Sequence, residues 1–259
     1  MIDTSWKSIL KAFDERRNIA VPGDTQATIK YCVQHFLELA QEAIQDHGYF
    51  AVALSGGSTP KAIYEQLKAP ENRNKVDWSA FLLFWSDERA VPPDHPESNY
   101  RMAMEAAFNE LPIPKENIFR MKAEENIEKN AKAYEALILE KIPLKTFDLV
   151  MLGVGEDGHT ASLFPHTHGL HVEERLVIAN FIPAKETWRM TLTFKCINSA
   201  FHTCIYALGK GKADIVAKVL NGPFDPDEYP SQRIGTQARK SLWILDKVAS
   251  LVDINALIP

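Results

Sequence analysis

The sequence predicts an α/β fold with a doubly wound, mostly parallel sheet and helices on both faces, of the Rossmann-like type. Segments with the 3.6-residue period of amphipathic helices alternate with many short apolar runs of strand length. Such alternation is typical of parallel strands joined by helical crossovers. The apolar runs lie near residues 50–55, 81–85, 148–152, 176–181, 189–194, 204–208 and 242–245.

Two segments show the clearest helical periodicity. The first follows Pro22 and Asp24, a residue type that caps helix N-termini, and its apolar positions are Ile29, Val33, Phe36, Leu37, Ala40 and Ile44. In the second, the apolar positions are Ile127, Ala131, Tyr134, Leu137 and Ile138. An apolar stripe of this kind predicts helices that cover the sheet. The proline-rich stretch 222–230 predicts a loop.

Composition indicates an ordinary globular chain. With 259 residues, 46% hydrophobic and 24% charged, it can form one α/β domain spanning residues 1–259, although the length alone also allows two. No apolar stretch approaches the roughly 20 residues that cross a bilayer, and the N-terminus lacks a signal-peptide pattern, so we expect a cytoplasmic protein. The net charge of −5 disfavours nucleic acid and anionic membranes as partners.

The cysteines point to a reducing compartment. Cys32, Cys196 and Cys204 are odd in number and lack metal-ligand spacing. We therefore expect small buried apolar side chains and no disulfide.

The most informative motif follows the apolar run that ends at Leu152. It reads Gly-Val-Gly-Glu-Asp-Gly-His-Thr from Gly153 to Thr160, and it lies where strands of open α/β sheets meet their ligands. Asp157 and His159 are two positions apart, so a turn can direct both into one cleft, where the carboxylate orients the imidazole as a general base. The alternative is a tight turn in which His159 only caps the next segment.

A second motif follows the strand that ends at Ser55. It consists of Gly56, Gly57, Ser58, Thr59 and Pro60, followed by a helix. Free N–H groups at such a helix start suit a phosphoryl oxygen. The glycine spacing matches neither a Walker loop nor a dinucleotide fingerprint, and a plain capped turn is the alternative.

The third motif follows the run at 81–85. Asp87, Glu88 and Arg89 come where that strand ends, before a stiff proline-rich loop at 90–100. Arg89 can direct two N–H groups at an anion. The alternative is a surface ion-pair network in which Asp87 or Glu88 neutralises Arg89.

On these motifs the chain resembles the 6-phosphogluconolactonases, within the wider group that includes the glucosamine-6-phosphate deaminases. The matching segments occur in the family's order and spacing, and they cover nearly the whole chain. They are Ser55–Pro60 (Ser-Gly-Gly-Ser-Thr-Pro), Ser86–Arg89 (Ser-Asp-Glu-Arg), Ser98–Tyr100 (Ser-Asn-Tyr), 153–165, Arg189–Thr193 (Arg-Met-Thr-Leu-Thr), 209–212 and 243–246.

The segment after His159 favours the lactonase branch. Deaminase relatives typically continue with Ile-Ala-Phe-Asn-Glu-Pro, whereas this chain has Thr-Ala-Ser-Leu-Phe-Pro at 160–165 and lacks the acidic residue. The resemblance therefore implies a carboxylic ester hydrolase. Its expected reaction converts 6-phospho-D-glucono-1,5-lactone to 6-phospho-D-gluconate, the second step of the oxidative pentose phosphate pathway.

The resemblance also implies roles for particular residues. His159, oriented by Asp157, would activate water, while Arg89 or glycine-loop N–H groups would face the carbonyl oxygen. Arg189 and Lys212 are the preferred ligands of the substrate phosphate. We expect no cofactor, no covalent intermediate through Ser162, and a monomer or weak homodimer. The other basic candidates for the pocket are Lys185, Lys210 and Arg233.

The sequence allows three further interpretations. His166, His168 and His171 have a spacing that could suit zinc, but no cysteine completes the site and solvated histidines are the simpler expectation, so no metal is predicted. A deaminase or isomerase would use Asp87 as its carbon-acid base. A non-catalytic sugar-phosphate sensor would normally carry a DNA-binding module, for which 20 N-terminal residues are too few.

Overall fold

Ten strands and seven α-helices make up the described part of the chain, residues 5–250 of a computed structural model. The terminal residues of the predicted domain, 1–4 and 251–259, lie outside that range. The strands are β1 (Lys11–Ala12), β2 (Arg17–Ala20), β3 (Phe50–Leu54), β4 (Phe81–Trp85), β5 (Asp87–Arg89), β6 (Leu149–Gly153), β7 (Val177–Ile182), β8 (Thr187–Leu192), β9 (His202–Ala207) and β10 (Ser241–Leu245). The helices are α1 (Thr25–His47), α2 (Ser58–Leu67), α3 (Pro70–Arg73), α4 (Asn99–Ala103), α5 (Ile127–Lys141), α6 (Phe194–Ser199) and α7 (Ala213–Asn221).

The central sheet has seven strands in the order β1-β2-β10-β9-β6-β3-β4. All neighbouring strands are parallel except β1, which pairs antiparallel with β2 at one edge. Every residue of β3 and β10 is buried, so both faces of the sheet are covered. The predicted α/β class with a mostly parallel sheet is confirmed.

Two predicted strands do not belong to this sheet. The runs expected near 176–181 and 189–194 are β7 and β8, which form a separate antiparallel sheet in the order β5-β8-β7. Only residues 183–186 connect them, whereas a parallel pair needs a crossover of a dozen or more residues. The interpretation of these two runs as parallel strands joined by crossovers was therefore wrong. The first strand of the antiparallel sheet, β5, follows β4 after Ser86.

The predicted helix after Asp24 begins where that capping residue indicates. Asp24 caps α1 by accepting the Ala27 N–H at 2.8 Å, and Gly48 ends the helix. The apolar face of α1 packs against α2, β3 and β10. Its Phe36 ring meets Phe50 of β3 edge-to-face at 5.5 Å. The stretch 222–230 is a loop, as predicted.

Parallel strands bring the functional motifs to one edge of the sheet. β3, β4, β6, β9 and β10 all end there, because adjacent parallel strands point in one direction. Within residues 5–250, no helix is long and apolar enough to traverse a bilayer. All three cysteines are free and buried, which confirms their expected packing role.

A buried histidine should make the fold sensitive to acid. Burial, together with the charge of nearby His202, lowers the pKa of His35 from 6.5 to about 3. The unfolded chain therefore binds a proton that the folded chain rejects, so the free energy of unfolding falls as the pH drops from 6.5 towards 3. We expect His35 to account for about 2 kcal/mol of lost stability between pH 7 and pH 5 in urea unfolding. His35→Leu should remove that part, and an equal loss in both proteins would contradict it.

Candidate active site

A cleft of about 240 Å³ opens at the carboxyl edge of the sheet. Residues from all three motifs line it, together with the turn after β9. Of the residues that the sequence predicted for the site, the cleft is lined by His159, Gly56, Gly57, Ser58, Thr59, Asp87, Arg89 and Lys212.

Asp157 and His159 form a hydrogen-bonded pair at the mouth of this cleft. The Asp157 Oδ1 atom lies 2.5 Å from His159 Nδ1 and also accepts the His159 backbone N–H at 3.1 Å. The Phe164 ring stacks on the imidazole with a centroid separation of 3.9 Å. Because Nδ1 is engaged, Nε2 is the ring nitrogen free to exchange a proton with a bound molecule. The pair thus has the arrangement of an oriented general base.

The charge state of Asp157 suits this role. Burial by itself would raise the pKa of Asp157, but the hydrogen bond and charge of His159 outweigh it and hold that pKa below its ordinary value. Asp157 is therefore ionised at neutral pH and stabilises a protonated imidazole.

Gly155 allows the pair to form. The N–H of Gly155 donates to the His159 carbonyl at 2.8 Å, which closes the turn. A Cβ atom on Gly155 would lie 2.1 Å from His159 Nδ1 and 2.6 Å from Asp157 Oδ1. No side chain fits there, because such distances are far inside van der Waals contact.

The glycine loop after β3 brings backbone N–H groups to the opposite wall. Gly57 precedes α2 with a φ of +104°, a conformation that glycine adopts without strain. The first N–H groups of α2 lack partners within the helix, and Ser58 and Thr59 at this positive helix end line the cleft. Anion binding by this loop, which the sequence predicts, stays a prediction.

Two buried carboxylates organise the third motif. Asp87 accepts from Ser162 Oγ at 2.5 Å and from Asn99 Nδ2 at 3.2 Å. Glu88 accepts the N–H groups of Arg89, Asn99 and Tyr100. Burial raises the pKa of Glu88 despite these hydrogen bonds.

The alternative of a surface ion-pair network is wrong. Asp87 and Glu88 are 6% and 3% exposed, and within residues 5–250 neither forms an ion pair with Arg89. Asp87 instead lies in the wall of the cleft. Ser162 is engaged by Asp87 rather than placed as a nucleophile.

Two arginines lie side by side next to the cleft. Arg89 of β5 and Arg189 of β8 are direct partners in the antiparallel sheet. Burial lowers the pKa of Arg189, and the charge of Arg89 lowers it further. The buried Nε and Nη1 atoms of Arg189 have no hydrogen-bond partner among the described residues. Buried guanidinium N–H groups without an acceptor favour the binding of an anion, because each unpaired buried donor lowers the stability of the folded protein.

The other basic candidates divide into those in the cleft and those elsewhere. Lys212 lines the cleft and donates to the Val154 carbonyl at 2.8 Å. Lys185 lies over the Phe164 ring at 5.7 Å, and Lys210 is exposed in the turn before α7. Arg233 donates to the Leu170 carbonyl at 2.5 Å. Its side chain therefore stabilises the segment around Leu170 and is not among the residues that line the cleft.

Two histidines of the cluster that follows the turn of Asp157 and His159 contact acidic residues. His166 lies 3.0 Å from Glu228, and His171 lies 3.7 Å from Asp227. Both contacts link the segment 166–171 to the proline-rich loop at 222–230.

Two cleft residues received no role from the sequence. Asn99 lines the cleft and its amide also contacts Gly56, where an added Cβ would lie 1.9 Å from Asn99 Oδ1. Tyr206 is the next-to-last residue of the buried strand β9, so its pattern indicates only core packing. No spacing signal distinguishes it from an ordinary core tyrosine.

Fold and cleft together define an α/β protein with a hydrogen-bonded carboxylate–imidazole pair and basic side chains at the carboxyl edge of a parallel sheet. Comparison with protein families gives the particular group. The chain belongs to the family of glucosamine-6-phosphate isomerases and 6-phosphogluconolactonases, whose model matches residues 23–243.

Named relatives share most of their length with this chain. A 6-phosphogluconolactonase of Chlamydia pneumoniae is 40% identical over 235 residues, covering 90% of this chain and 89% of the relative. One from Nostoc sp. is 37% identical over 240 residues, covering 90% and 97%. The crystal structure of 6-phosphogluconolactonase from Thermotoga maritima matches with a TM-score of 0.76 and 28% identity, covering 88% of this chain and 99% of that one.

Proposed function

We propose that this protein hydrolyses 6-phospho-D-glucono-1,5-lactone to 6-phospho-D-gluconate, the second step of the oxidative pentose phosphate pathway. The observation that carries the proposal is the Asp157–His159 pair, 2.5 Å apart, opening into the cleft that Lys212 and Arg89 also line. Relatives that are 32–42% identical bear the name of this activity.

The base acts on water. Asp157 holds His159 Nδ1, so Nε2 takes a proton from a water molecule as its oxygen attacks C1 of the lactone. The carbonyl π bond breaks and leaves a tetrahedral oxyanion. When the carbonyl re-forms, the bond from C1 to the ring oxygen breaks, and the imidazolium returns the proton to that departing oxygen. One imidazole serves both steps, and the acid product then ionises.

The oxyanion needs donors that are in place before it forms. Arg89 and the N–H groups of Gly56 and Gly57 line the same cleft as the imidazole. A preorganised donor in a partly desolvated site stabilises developing charge more than water does, because it does not reorganise during the reaction.

Arg189 and Lys212 are the proposed ligands of the phosphate. Arg189 has buried donors without partners among the described residues, and Lys212 is held at the cleft by the Val154 carbonyl. The phosphate would replace a neutral carbonyl as the partner of Lys212 and relieve the repulsion between Arg189 and Arg89. Binding the phosphate at a fixed distance from His159 also orients the lactone.

A coupled assay tests the activity. Glucose-6-phosphate dehydrogenase generates the lactone, and its disappearance is followed with and without the purified protein. We expect disappearance well above the spontaneous rate. Loss of the lactone at the spontaneous rate alone would reject the proposal, and binding of the lactone without turnover would favour a sensor.

Arg189→Ala should mainly weaken binding. Removal of the phosphate ligand should raise KM by about 10- to 100-fold, the range for a charged hydrogen bond, with a smaller effect on kcat. Steady-state kinetics on the generated lactone measure this. Arg120, which pairs with Glu124 away from the cleft, provides the control Arg120→Ala. An unchanged KM in Arg189→Ala would remove Arg189 from the phosphate site.

The same proposal includes a cytoplasmic location and a monomer or weak homodimer. The three buried free cysteines support a reducing compartment. Sedimentation at several protein concentrations measures the association state directly.

A further inference from the structure

A buried carboxylate outside the cleft contacts the segment that carries Lys212. Asp246 follows β10 directly and is fully buried. It makes hydrogen bonds and no ion pair within the described range of the chain. We propose that Asp246 is a positioning residue, which fixes the turn of Lys212 and thereby sets the affinity of the cleft for the substrate phosphate. The inference rests on the proposed function, because it assigns Lys212 to that phosphate.

Asp246 gathers donors from three parts of the chain. Both of its carboxylate oxygens accept the Gly209 N–H, at 3.0 and 3.1 Å. Oδ2 also accepts from Thr25 Oγ1 at 2.6 Å, at the start of α1. Oδ1 accepts the Ala249 N–H at 2.9 Å. A buried carboxylate that accepts this many hydrogen bonds is held in one position, because each of its oxygens accepts two of them.

A series of hydrogen bonds connects Asp246 to the segment before the turn that carries Asp157 and His159. Gly209 opens the one-turn helix that ends at Lys212, and its carbonyl accepts the Lys212 N–H at 3.0 Å. The Lys212 ammonium then reaches across to the Val154 carbonyl at 2.8 Å. Val154 directly follows β6, three residues before Asp157. Asp246 thus holds the backbone from which Lys212 extends and is not itself among the residues that line the cleft.

The register of the sheet makes this link short. β9 and β10 are parallel neighbours, with Leu245 opposite Ala207. The residue after β10 therefore meets the backbone just beyond β9, where Gly209 lies. An alanine at 246 would leave the part-buried Gly209 N–H without its acceptor, and the turn would shift to expose that N–H to water.

A second buried carboxylate provides a matched control. Asp148 is 4% exposed and accepts the Ala51 N–H at 2.8 Å and His47 Nε2 at 3.0 Å. It precedes β6, so it lies at the opposite edge of the sheet from the cleft. Loss of Asp148 removes similar hydrogen bonds without touching the turn of Lys212.

The experiment measures KM and kcat for Asp246→Ala, Asp246→Asn and Asp148→Ala. We expect Asp246→Ala to raise KM roughly 10-fold with kcat within about twofold, because a displaced lysine weakens phosphate binding. The KM of Asp246→Asn should stay within about threefold of the wild-type KM. Its carboxamide oxygen can still accept the N–H groups of Gly209 and Ala249, and its NH₂ group can donate to Thr25. Asp148→Ala should lower thermal stability and leave KM unchanged.

A double-mutant cycle separates positioning from general destabilisation. In a Lys212→Ala background, Asp246→Ala should raise KM no further, because the group through which it acts is gone. Equal and additive effects in both backgrounds would overturn the inference, as would an unchanged KM in folded Asp246→Ala or a KM in Asp246→Asn as high as in Asp246→Ala.

Thr25→Val keeps the test decisive if Asp246→Ala does not fold. Thr25 is exposed, so its replacement is tolerated, and it removes one donor from Asp246. We expect about a threefold rise in KM that disappears in the Lys212→Ala background, and no rise would overturn the inference. Failure of the proposed function looks different, because wild type itself would then show no hydrolysis.

Discussion

Replacement of His159 by alanine should lower kcat by about 10² to 10⁴, the usual contribution of one general base. His159 is the imidazole that lines the cleft, and Asp157 holds its Nδ1 at 2.5 Å. Alanine leaves nothing to take the proton from the attacking water or to return it to the ring oxygen. Substrate binding should survive, since the proposed phosphate ligands are on other segments. Spontaneous hydrolysis of the lactone sets the floor and must be subtracted from each rate.

His166→Ala is the matched control for this change. His166 lies seven positions further along the same segment, but it is exposed and pairs with Glu228. It should keep kcat within about twofold of wild type. A His159→Ala protein as fast as wild type in the coupled assay would exclude His159 as the base.

Gly155→Ala should reduce kcat/KM nearly as much, by about 10² or more, without removing any catalytic group. The added methyl carbon would lie 2.1 Å from His159 Nδ1 and 2.6 Å from Asp157 Oδ1. The two side chains must therefore move apart, and the imidazole loses both its orientation and the stabilising charge of its partner. Most of the loss should appear in kcat, because the groups proposed to bind the phosphate are not displaced.

Gly211→Ala is the corresponding control. A Cβ atom on Gly211 meets nothing within 4 Å, so the same substitution should leave kcat/KM within about twofold. Circular dichroism and thermal unfolding should show that both variants fold. A fully active Gly155→Ala protein would mean that the Asp157–His159 contact is dispensable.

Much of the fold could be predicted because its signals are local. The α1 segment shows its cap at Asp24 and its apolar stripe within one stretch of chain, and the structure begins the helix at Thr25 as expected. The apolar strands of the central sheet are equally recognisable, since parallel strands buried on both faces are almost continuously hydrophobic. The short β2 strand was missed because Arg17–Ala20 begins with a charged and a polar residue.

Part of the candidate site could be predicted because its residues follow recognisable strands, whereas the contacts between distant segments could not. Gly56, Asp87 and His159 each follow an apolar strand, and the parallel sheet brings strand ends to one edge. No local pattern shows that Arg189 pairs with Arg89, because that contact depends on an antiparallel sheet joining segments 100 residues apart in the chain. For the same reason, the hydrogen bond between Ser162 and Asp87 could not be foreseen.

The amino-acid sequence by itself determined the α/β class, the strand-end motifs and the pairing of a carboxylate with an imidazole two residues apart. These depend on periodicity and on residues close in the chain, where short-range geometry leaves few choices. Only the tertiary structure decided the second sheet, the burial of Asp87 and Glu88, the neighbouring arginines and the anchoring of the Lys212 turn by Asp246. Those features depend on contacts between segments that are far apart in the chain. Such contacts are fixed only by the order and register of the strands in the folded sheets.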